Sequence, residues 1–148
     1  MRISIAYKGF DKDLKCRGFQ YEIGKTYELS EKPVVCKKGF HCCTKLSDVF
    51  EHYPLWHWSQ EYVAGAFRWK NSKSSNRFCL VEVLGEFDID PGIAMKINKL
   101  ATNKIKIVRE LSIEDMIEIL EKESNLCSTR YDIDRLGMIR RTNEFYSL

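Results

Sequence analysis

The residues of this chain that could perform chemistry are concentrated in one stretch, residues 36–53. It holds three of the six cysteines and two of the three histidines, and it includes the adjacent pair Cys42 and Cys43. Thiol and imidazole groups are common ligands of zinc and common partners in nucleophilic catalysis. The search for a site therefore begins with this stretch.

A metal site here would use thiols from Cys16, Cys36, Cys42 and Cys43 together with the imidazole of His41. Structural zinc sites usually contain closely spaced Cys-x2–4-Cys pairs, and the spacing of Cys36, His41 and Cys43 does not reproduce one. The irregular cysteine spacing and the lack of an export signal also argue against disulfides. We expect reduced thiols and no metal.

His41 and Cys43 could instead form a nucleophilic pair. They share one face of a predicted strand, but residues i and i+2 of a strand stand about 6–7 Å apart. No Asn or Asp that would orient the imidazole is identifiable. We rank this pair below the metal site.

Size and composition describe an ordinary globular protein. The chain has 148 residues, of which 44% are hydrophobic and 30% charged, and this suits one domain with its own core. No apolar run approaches the roughly 20 residues of a membrane-spanning helix, and the N-terminus lacks the centre of a signal peptide. We expect a cytoplasmic protein without membrane contact.

Hydrophobic periodicity predicts a mainly β scaffold. Ile3, Ile5 and Tyr7 alternate with small residues and predict a first strand with one buried face. Residues 78–85 predict a central strand, and residues 104–111 predict a strand that closes the β portion.

Two helices are predicted beside these strands. Thr44 is a suitable N-cap for a short helix that ends before Pro54. Ser112 and Asp115 form a Ser-x-x-Asp variant of the capping box and open an amphipathic helix. A further short helix is expected around residues 132–141.

These elements predict an α+β fold with a single domain: a mostly antiparallel sheet, one short embedded helix and a C-terminal amphipathic helix. Residues 1–111 would form the α+β core domain, and residues 112–148 a C-terminal helical extension. Residues 55–76 form a Trp-rich insertion in the core. This insertion could form either a helix over residues 58–67 or a wide hairpin, and the sequence does not decide between them.

Several segments resemble a family of small uncharacterised proteins that are frequent in phages and prophages. The resemblance is carried by residues 7–10, 16–27, 39–43, 77–86 and 100–107, and it covers roughly the first two-thirds of the chain. It implies a phage-related intracellular setting. It implies no activity, and residues 55–76 and 112–148 depart from the family pattern.

A weaker resemblance concerns residues 39–44 and the helix after them, which are similar to the second core strand of ADP-ribosyltransferase folds. It implies NAD as cofactor, with Thr44 beside the nicotinamide ribose and Glu82 or Glu86 stabilising the oxocarbenium charge. The candidate catalytic residues of this alternative are His41, Thr44 and Glu82. The Arg or His of the opening strand is missing, and Arg17 is the only substitute.

The Trp-rich insertion is the best candidate for a binding surface, because Trp, Tyr and Arg dominate the hot spots of protein interfaces. The predicted partner-binding residues are Trp56, Trp58, Tyr62, Arg68, Trp69 and Lys70. The same mixture of aromatic and basic residues would also suit nucleic acid. Further cations available to a nucleic acid are Lys73, Arg77, Lys96, Lys99, Lys104 and Lys106.

The sequence favours a phage-encoded accessory protein without catalytic residues, metal or cofactor. It would act in the host cytoplasm by binding and modulating or inhibiting a host protein complex. Small phage proteins often disable host machinery in this way, antiviral defence machinery included. An ADP-ribosyltransferase-like, NAD-dependent enzyme and a nucleic-acid-binding protein are the alternatives.

Overall fold

The computed structural model describes residues 3–90, 99–123 and 127–146, so Lys96 lies outside the described residues. The strands are β1 (Ile5–Phe10), β2 (Lys15–Cys16), β3 (Phe19–Gln20), β4 (Thr26–Glu28), β5 (Phe40–Cys42), β6 (Trp56–Val63), β7 (Ala66–Lys73), β8 (Arg77–Val83), β9 (Phe87–Asp90), β10 (Lys99–Thr102) and β11 (Lys104–Glu110). The helices are α1 (Leu46–Val49), α2 (Ile113–Glu123) and α3 (Cys127–Tyr146).

Two antiparallel sheets form the scaffold. The larger has the strand order β1-β8-β11-β4, with the predicted central strand β8 inside it, and the smaller has the order β5-β10-β9. Tyr7 and Cys43 exchange backbone hydrogen bonds of 2.7 and 2.8 Å, so β1 also touches the end of β5. The α+β fold class, with its mostly antiparallel sheet, is confirmed.

The buried face of β1 is not the one that the sequence predicts. Ala6 and Phe10 are fully buried in the core between the sheets, whereas Ile5 is 46% exposed. Lys8 lies on the same face as Ala6 and Phe10 and is therefore buried too. The opposite face of β1 is not left bare, because Tyr7 packs partly buried against a second hydrophobic core.

A second core lies on the other face of the larger sheet. Phe78 of β8 packs there with Leu46 of α1, Leu120 of α2 and Leu136 of α3. The three leucines are fully buried. The C-terminal helices therefore cover a sheet face that would otherwise be exposed. No helix among the described residues is both long and apolar enough to cross a membrane.

The cap of α1 differs from the prediction, which named Thr44. The N-cap position is Lys45, and its side chain makes no capping bond. The carboxylate of Glu123, at the end of α2, instead accepts hydrogen bonds from the backbone N–H groups of Leu46 and Ser47. The prediction was wrong because the cap comes from 77 residues away in sequence.

The cap of α2 is as predicted. The Ser112 hydroxyl accepts a hydrogen bond of 3.1 Å from the Asp115 N–H, and the Asp115 carboxylate accepts one of 3.0 Å from the Ser112 N–H. This reciprocal pair is the capping box that the sequence predicts.

The Trp-rich insertion is a β-hairpin, which excludes the helix over residues 58–67. β6 and β7 pair from Trp56 opposite Lys73 to Val63 opposite Ala66. The two turn residues between them, Ala64 and Gly65, have φ of +51° and +83°. A two-residue type I′ turn requires this pair of positive φ values.

Candidate functional site

The hairpin of β6 and β7 sorts its side chains by face. Because alternate strand residues point the same way, the register places all of its aromatic side chains on one face. We call this the aromatic face, and it consists of Trp56, Trp58, Tyr62, Phe67 and Trp69. The outer members are strongly exposed, from 57% for Trp58 to 69% for Phe67. The sequence prediction missed Phe67, although the alternation of β7 could have identified it.

The opposite side of the hairpin, its charged face, carries His57, Glu61, Arg68 and Lys70. The Arg68 guanidinium donates a hydrogen bond of 2.7 Å to the Glu61 carboxylate across the strands. Of the predicted partner-binding residues, the structure therefore places Trp58, Tyr62 and Trp69 together, and Arg68 and Lys70 on the other side.

Trp56 anchors the base of the aromatic face. Its ring packs against the second core, and the guanidinium of Arg135 in α3 lies 5.7 Å from the ring centre. The base is closed by Ser74, whose N–H donates to Leu55 O at 2.8 Å and whose hydroxyl donates to Pro54 O at 2.6 Å. The Trp56 indole N–H is buried and has no hydrogen-bond partner among the described residues. Trp56 is thus mainly a structural residue of the hairpin base.

A second candidate site was not predicted from the sequence. Two neighbouring cavities, of about 90 and about 240 Å3, share the lining residues Lys8, Cys16, Arg17 and His41. We call this pair of cavities the basic site. The smaller cavity is also lined by Lys99, and the larger by Lys37. No carboxylate of the described residues lines either cavity.

Lys8 is the buried cation of the basic site. Its side chain is 3% exposed, and its ammonium group lies 5.1 Å from the ring centre of Tyr21 and 5.7 Å from that of Phe10. The ammonium donates hydrogen bonds to the backbone oxygen of His41 at 2.5 Å and to the Cys16 sulfur at 3.5 Å. It forms no ion pair with any carboxylate that the structure describes.

His41 lies beside these cations and is held neutral. Burial, together with the charges of Arg17, Lys8 and Lys99, lowers the pKa of its imidazole to about 4. Its Nε2 atom accepts a hydrogen bond of 2.9 Å from the Cys36 N–H, which requires a free lone pair. At neutral pH His41 therefore adds no charge to the basic site.

Cys16 and Tyr53 form the wall between Lys8 and α1. The Tyr53 hydroxyl donates a hydrogen bond of 3.1 Å to the Cys16 sulfur. The Tyr53 ring can reach this position because it lies against Gly9, where an added Cβ would stand 2.7 Å from the ring. Gly9 thus fixes the shape of the smaller cavity.

Arg17 lies at the first turn position of the β2–β3 hairpin, before Gly18. Their φ values are +52° and +79°, again the positive pair of a type I′ turn. Arginine is disfavoured with positive φ, and the strain costs about 1 kcal/mol or more. The strained residue lines both cavities of the basic site.

The catalytic residues of the ADP-ribosyltransferase alternative are not brought together. His41 lies in the basic site, Thr44 follows β5, and Glu82 lies in β8 between Ile5 and Lys106 of the neighbouring strands. Neither Thr44 nor Glu82 lines the cavities that contain His41.

The cysteines are free thiols wherever the structure describes them, and Cys42, Cys43 and Cys79 are buried. Burial raises the pKa of the Cys43 thiol to about 12. A thiol with a raised pKa and an imidazole with a lowered pKa, as in His41, do not form an activated nucleophilic pair at neutral pH. Among the described residues, no group of three or more His, Cys, Asp and Glu side chains is arranged to hold a metal.

Comparison with known proteins gives a family and no activity. A family model described as a domain of unknown function, DUF7666, matches residues 4–119. Comparison with curated proteins and with solved structures found no significant match. The matched residues contain both candidate sites.

Proposed function

The chain belongs to the DUF7666 family of unknown function, and on that premise we propose a non-catalytic protein that binds a host protein complex through the aromatic face of its hairpin. In this proposal the protein is phage-encoded and acts in the host cytoplasm, where antiviral defence machinery is a candidate target. The phage setting rests on the sequence segments described above.

The observation that carries the proposal is the exposure of the aromatic face. Trp58, Tyr62, Phe67 and Trp69 each leave more than half of their surface in solvent. Together they expose on the order of 400–500 Å2 of aromatic surface, which is as large as the largest apolar patches of ordinary monomers. Such patches are costly in water, and large ones commonly mark interaction sites.

The exposed aromatic side chains of the hairpin belong to neither hydrophobic core. The Tyr62 and Phe67 rings pack edge to face near the tip, with their ring centres 5.0 Å apart. Trp58 and Trp69 lie closer to the base: Trp69 is opposite Gln60, and Trp58 is two residues before Gln60 on β6. Tryptophan and tyrosine bring large contact areas to an interface at a low cost in side-chain entropy.

The sorting of the two faces favours a protein partner over a nucleic acid. Single-stranded nucleic acids are bound where aromatic side chains and cations line the same groove. Here Arg68 and Lys70 point away from the aromatic face, and Arg68 is paired with Glu61. Of the hairpin's own cations, only Lys73, opposite Trp56, shares the aromatic side, and Arg135 of α3 lies beside Trp56 at the base.

These features describe the chemistry of the partner. A standard interface buries about 800 Å2 on each side, which is more than the aromatic face supplies alone. The partner therefore encloses the hairpin in a cleft, with an apolar wall against the aromatic face. The opposite wall faces Arg68 and Lys70 and is acidic, because complementary charge orients the encounter.

The test is capture of the partner from host lysate by the tagged protein, followed by affinity measurement with that partner purified. The double variant Trp58→Ser with Trp69→Ser should weaken the affinity at least about 100-fold, because each is a central hot-spot residue. Both side chains are exposed, so the variant should keep the wild-type melting temperature.

Two control variants complete the experiment. Lys70→Ser, on the opposite face, should weaken the affinity less than about tenfold and mainly slow association, as rim charges do. His57→Ser should leave it unchanged. A partner that binds the double tryptophan variant with wild-type affinity contradicts the proposal, and so does loss of binding after nuclease treatment of the lysate.

A further inference from the structure

The basic site concentrates positive charge in a concave place. Lys8 and Arg17 line both cavities, and Lys99 and Lys37 each line one of them. The lining contains no carboxylate from the described residues. Surface lysines are usually solvated and paired at random, whereas converging cations around a cavity lower the energy of an anion there.

Lys8 is the strongest indication that an anion belongs in the site. A buried ammonium loses its hydration, and proteins normally compensate this with a carboxylate. In the part of the chain that the structure describes, Lys8 has a backbone oxygen, a thiol and two aromatic rings as partners, and no carboxylate. A bound anion would supply the missing counter-charge, and the third N–H of the ammonium is available to donate to it.

Arg17 provides independent support, because it is placed by a strained backbone. Glycine would adopt its φ of +52° without strain. Strained residues persist where the surrounding structure holds them, and they are concentrated at sites that bind ligands. A guanidinium that borders both cavities is suited to a phosphate, to which it can donate two parallel hydrogen bonds.

The larger cavity adds an aromatic wall to the cations. Phe19, Tyr21 and Phe40 line it, and Phe19 is 45% exposed although its ring lies 4.8 Å from that of Tyr21. An exposed phenylalanine beside a basic cavity offers a stacking surface to a planar ring. Together the two cavities reach the lower end of the range of about 300–1,000 Å3 for small-molecule sites.

From these observations we infer that the basic site binds a small phosphorylated ligand with a planar ring, of the size of a nucleoside monophosphate. The phosphate contacts Lys8, Arg17 and Lys99, and the ring packs on Phe19 in the larger cavity. The ligand is bound and not altered. This site is separate from the aromatic face of the hairpin, so either assignment can fail without the other.

Thermal unfolding in the presence of the four common ribonucleoside monophosphates tests the inference. At about 5 mM, at least one of them should raise Tm by about 4 °C or more, because a ligand that binds only the folded state stabilises it. The matching nucleoside without phosphate should give no rise. Inorganic phosphate should give a smaller rise than the nucleotide.

Variants then locate the binding. Arg17→Gly relaxes the turn and removes the cation, and it should weaken the nucleotide affinity at least about tenfold. Ala64→Gly makes the same backbone change in the other type I′ turn and should leave the affinity unchanged. Lys8→Met should abolish the Tm rise; if this variant does not fold, Arg17→Gly and Phe19→Ser, measured by calorimetry, decide.

The outcomes separate the parts of the inference. No rise with any of the four nucleotides overturns it, and so does an equal response of Arg17→Gly and wild type. If inorganic phosphate matches the best nucleotide, the planar-ring part is overturned. If the nucleoside matches the nucleotide, the phosphate part is overturned.

Discussion

The hairpin and the basic site place their residues in opposite ways. The hairpin takes all its aromatic residues from one continuous segment, residues 56–73, and a single register sorts them onto one face. The basic site takes Lys8, Arg17, His41 and Lys99 from four strands or turns that are far apart in sequence. The exposed part of the hairpin is therefore a local feature that belongs to neither hydrophobic core, whereas the basic site exists only when the core is complete.

This difference predicts where substitutions cost stability. Gly9→Ala should lower the free energy of unfolding by about 2–3 kcal/mol, because the added Cβ would stand 2.7 Å from the Tyr53 ring. Chemical denaturation measures the change. In contrast, the double variant Trp58→Ser with Trp69→Ser should change it by less than about 0.5 kcal/mol.

Gly137→Ala is the control for Gly9→Ala. Gly137 lies within α3, and its nearest neighbour would be the flexible end of Arg141 at 3.7 Å. Alanine in a helix interior is favoured by about 1 kcal/mol over glycine, so this variant should be more stable. If Gly9→Ala is equally tolerated, Tyr53 does not fix the cavity wall.

The pH dependence of stability should come from the basic site and not from the hairpin. The His41 pKa is lowered to about 4, so the unfolded chain binds the proton more readily between pH 6.5 and 4. His41 therefore destabilises the fold as pH falls through this window. The loss should be about 1–2 kcal/mol after allowance for the partly exposed side chain.

Asp132 must be removed to see this effect clearly. Burial raises the pKa of its carboxyl to about 6, so the folded chain binds that proton more readily, and stability rises as pH falls from 6 to 4. Denaturation of Asp132→Asn between pH 7 and 5 isolates His41. Glu110 and Asp115 do not interfere there, because their pKa values are also shifted, but downward from below that range. The further change His41→Gln should flatten the dependence of the free energy of unfolding on pH. If the slope of that dependence is unchanged, other groups cause the effect.

Lys8→Met should raise the free energy of unfolding of the ligand-free protein by about 1 kcal/mol. The variant removes a buried charge that no described carboxylate compensates, which outweighs the lost hydrogen bond to His41 O. Thermal and chemical denaturation measure it. A less stable variant would mean that the contacts to Phe10 and Tyr21 already compensate the charge.

The smallest predicted effect compares the two type I′ turns. Arg17→Gly and Ala64→Gly should each relieve a positive φ, with a net gain of about 0.5 kcal/mol after the entropy of glycine in the unfolded chain is subtracted. The two gains should be equal. A gain for Ala64→Gly alone would show that Arg17 already stabilises its turn through its side chain.

Local sequence patterns predicted much of the fold. The alternation in residues 78–85 predicted the central strand, and the Ser112–Asp115 capping box predicted the start of α2. The composition of residues 55–76 marked this Trp-rich segment as different from the rest of the chain. Its hairpin structure could not be predicted with the same clarity, because the turn contains no Asn or Asp.

Contacts between segments that are distant in sequence explain the predictions that were wrong or absent. Ile3, Ile5 and Tyr7 look more apolar than Ala6 and Lys8, yet the pairing of the strands turns the face with Ala6, Lys8 and Phe10 toward the core between the sheets. This orientation buries Lys8, so no pattern within β1 could reveal the basic site. The phosphate-binding potential appears only when Arg17 and Lys99 are placed beside it.

The cap on α1 has a consequence for how the family domain is delimited. The residues matched by the family end at 119, within α2 and four residues before Glu123. A protein cut at that boundary would lose the carboxylate that holds the first N–H groups of α1, and the fully buried Leu120 with it. The contacts that hold α1 in this protein thus extend beyond the recurring sequence.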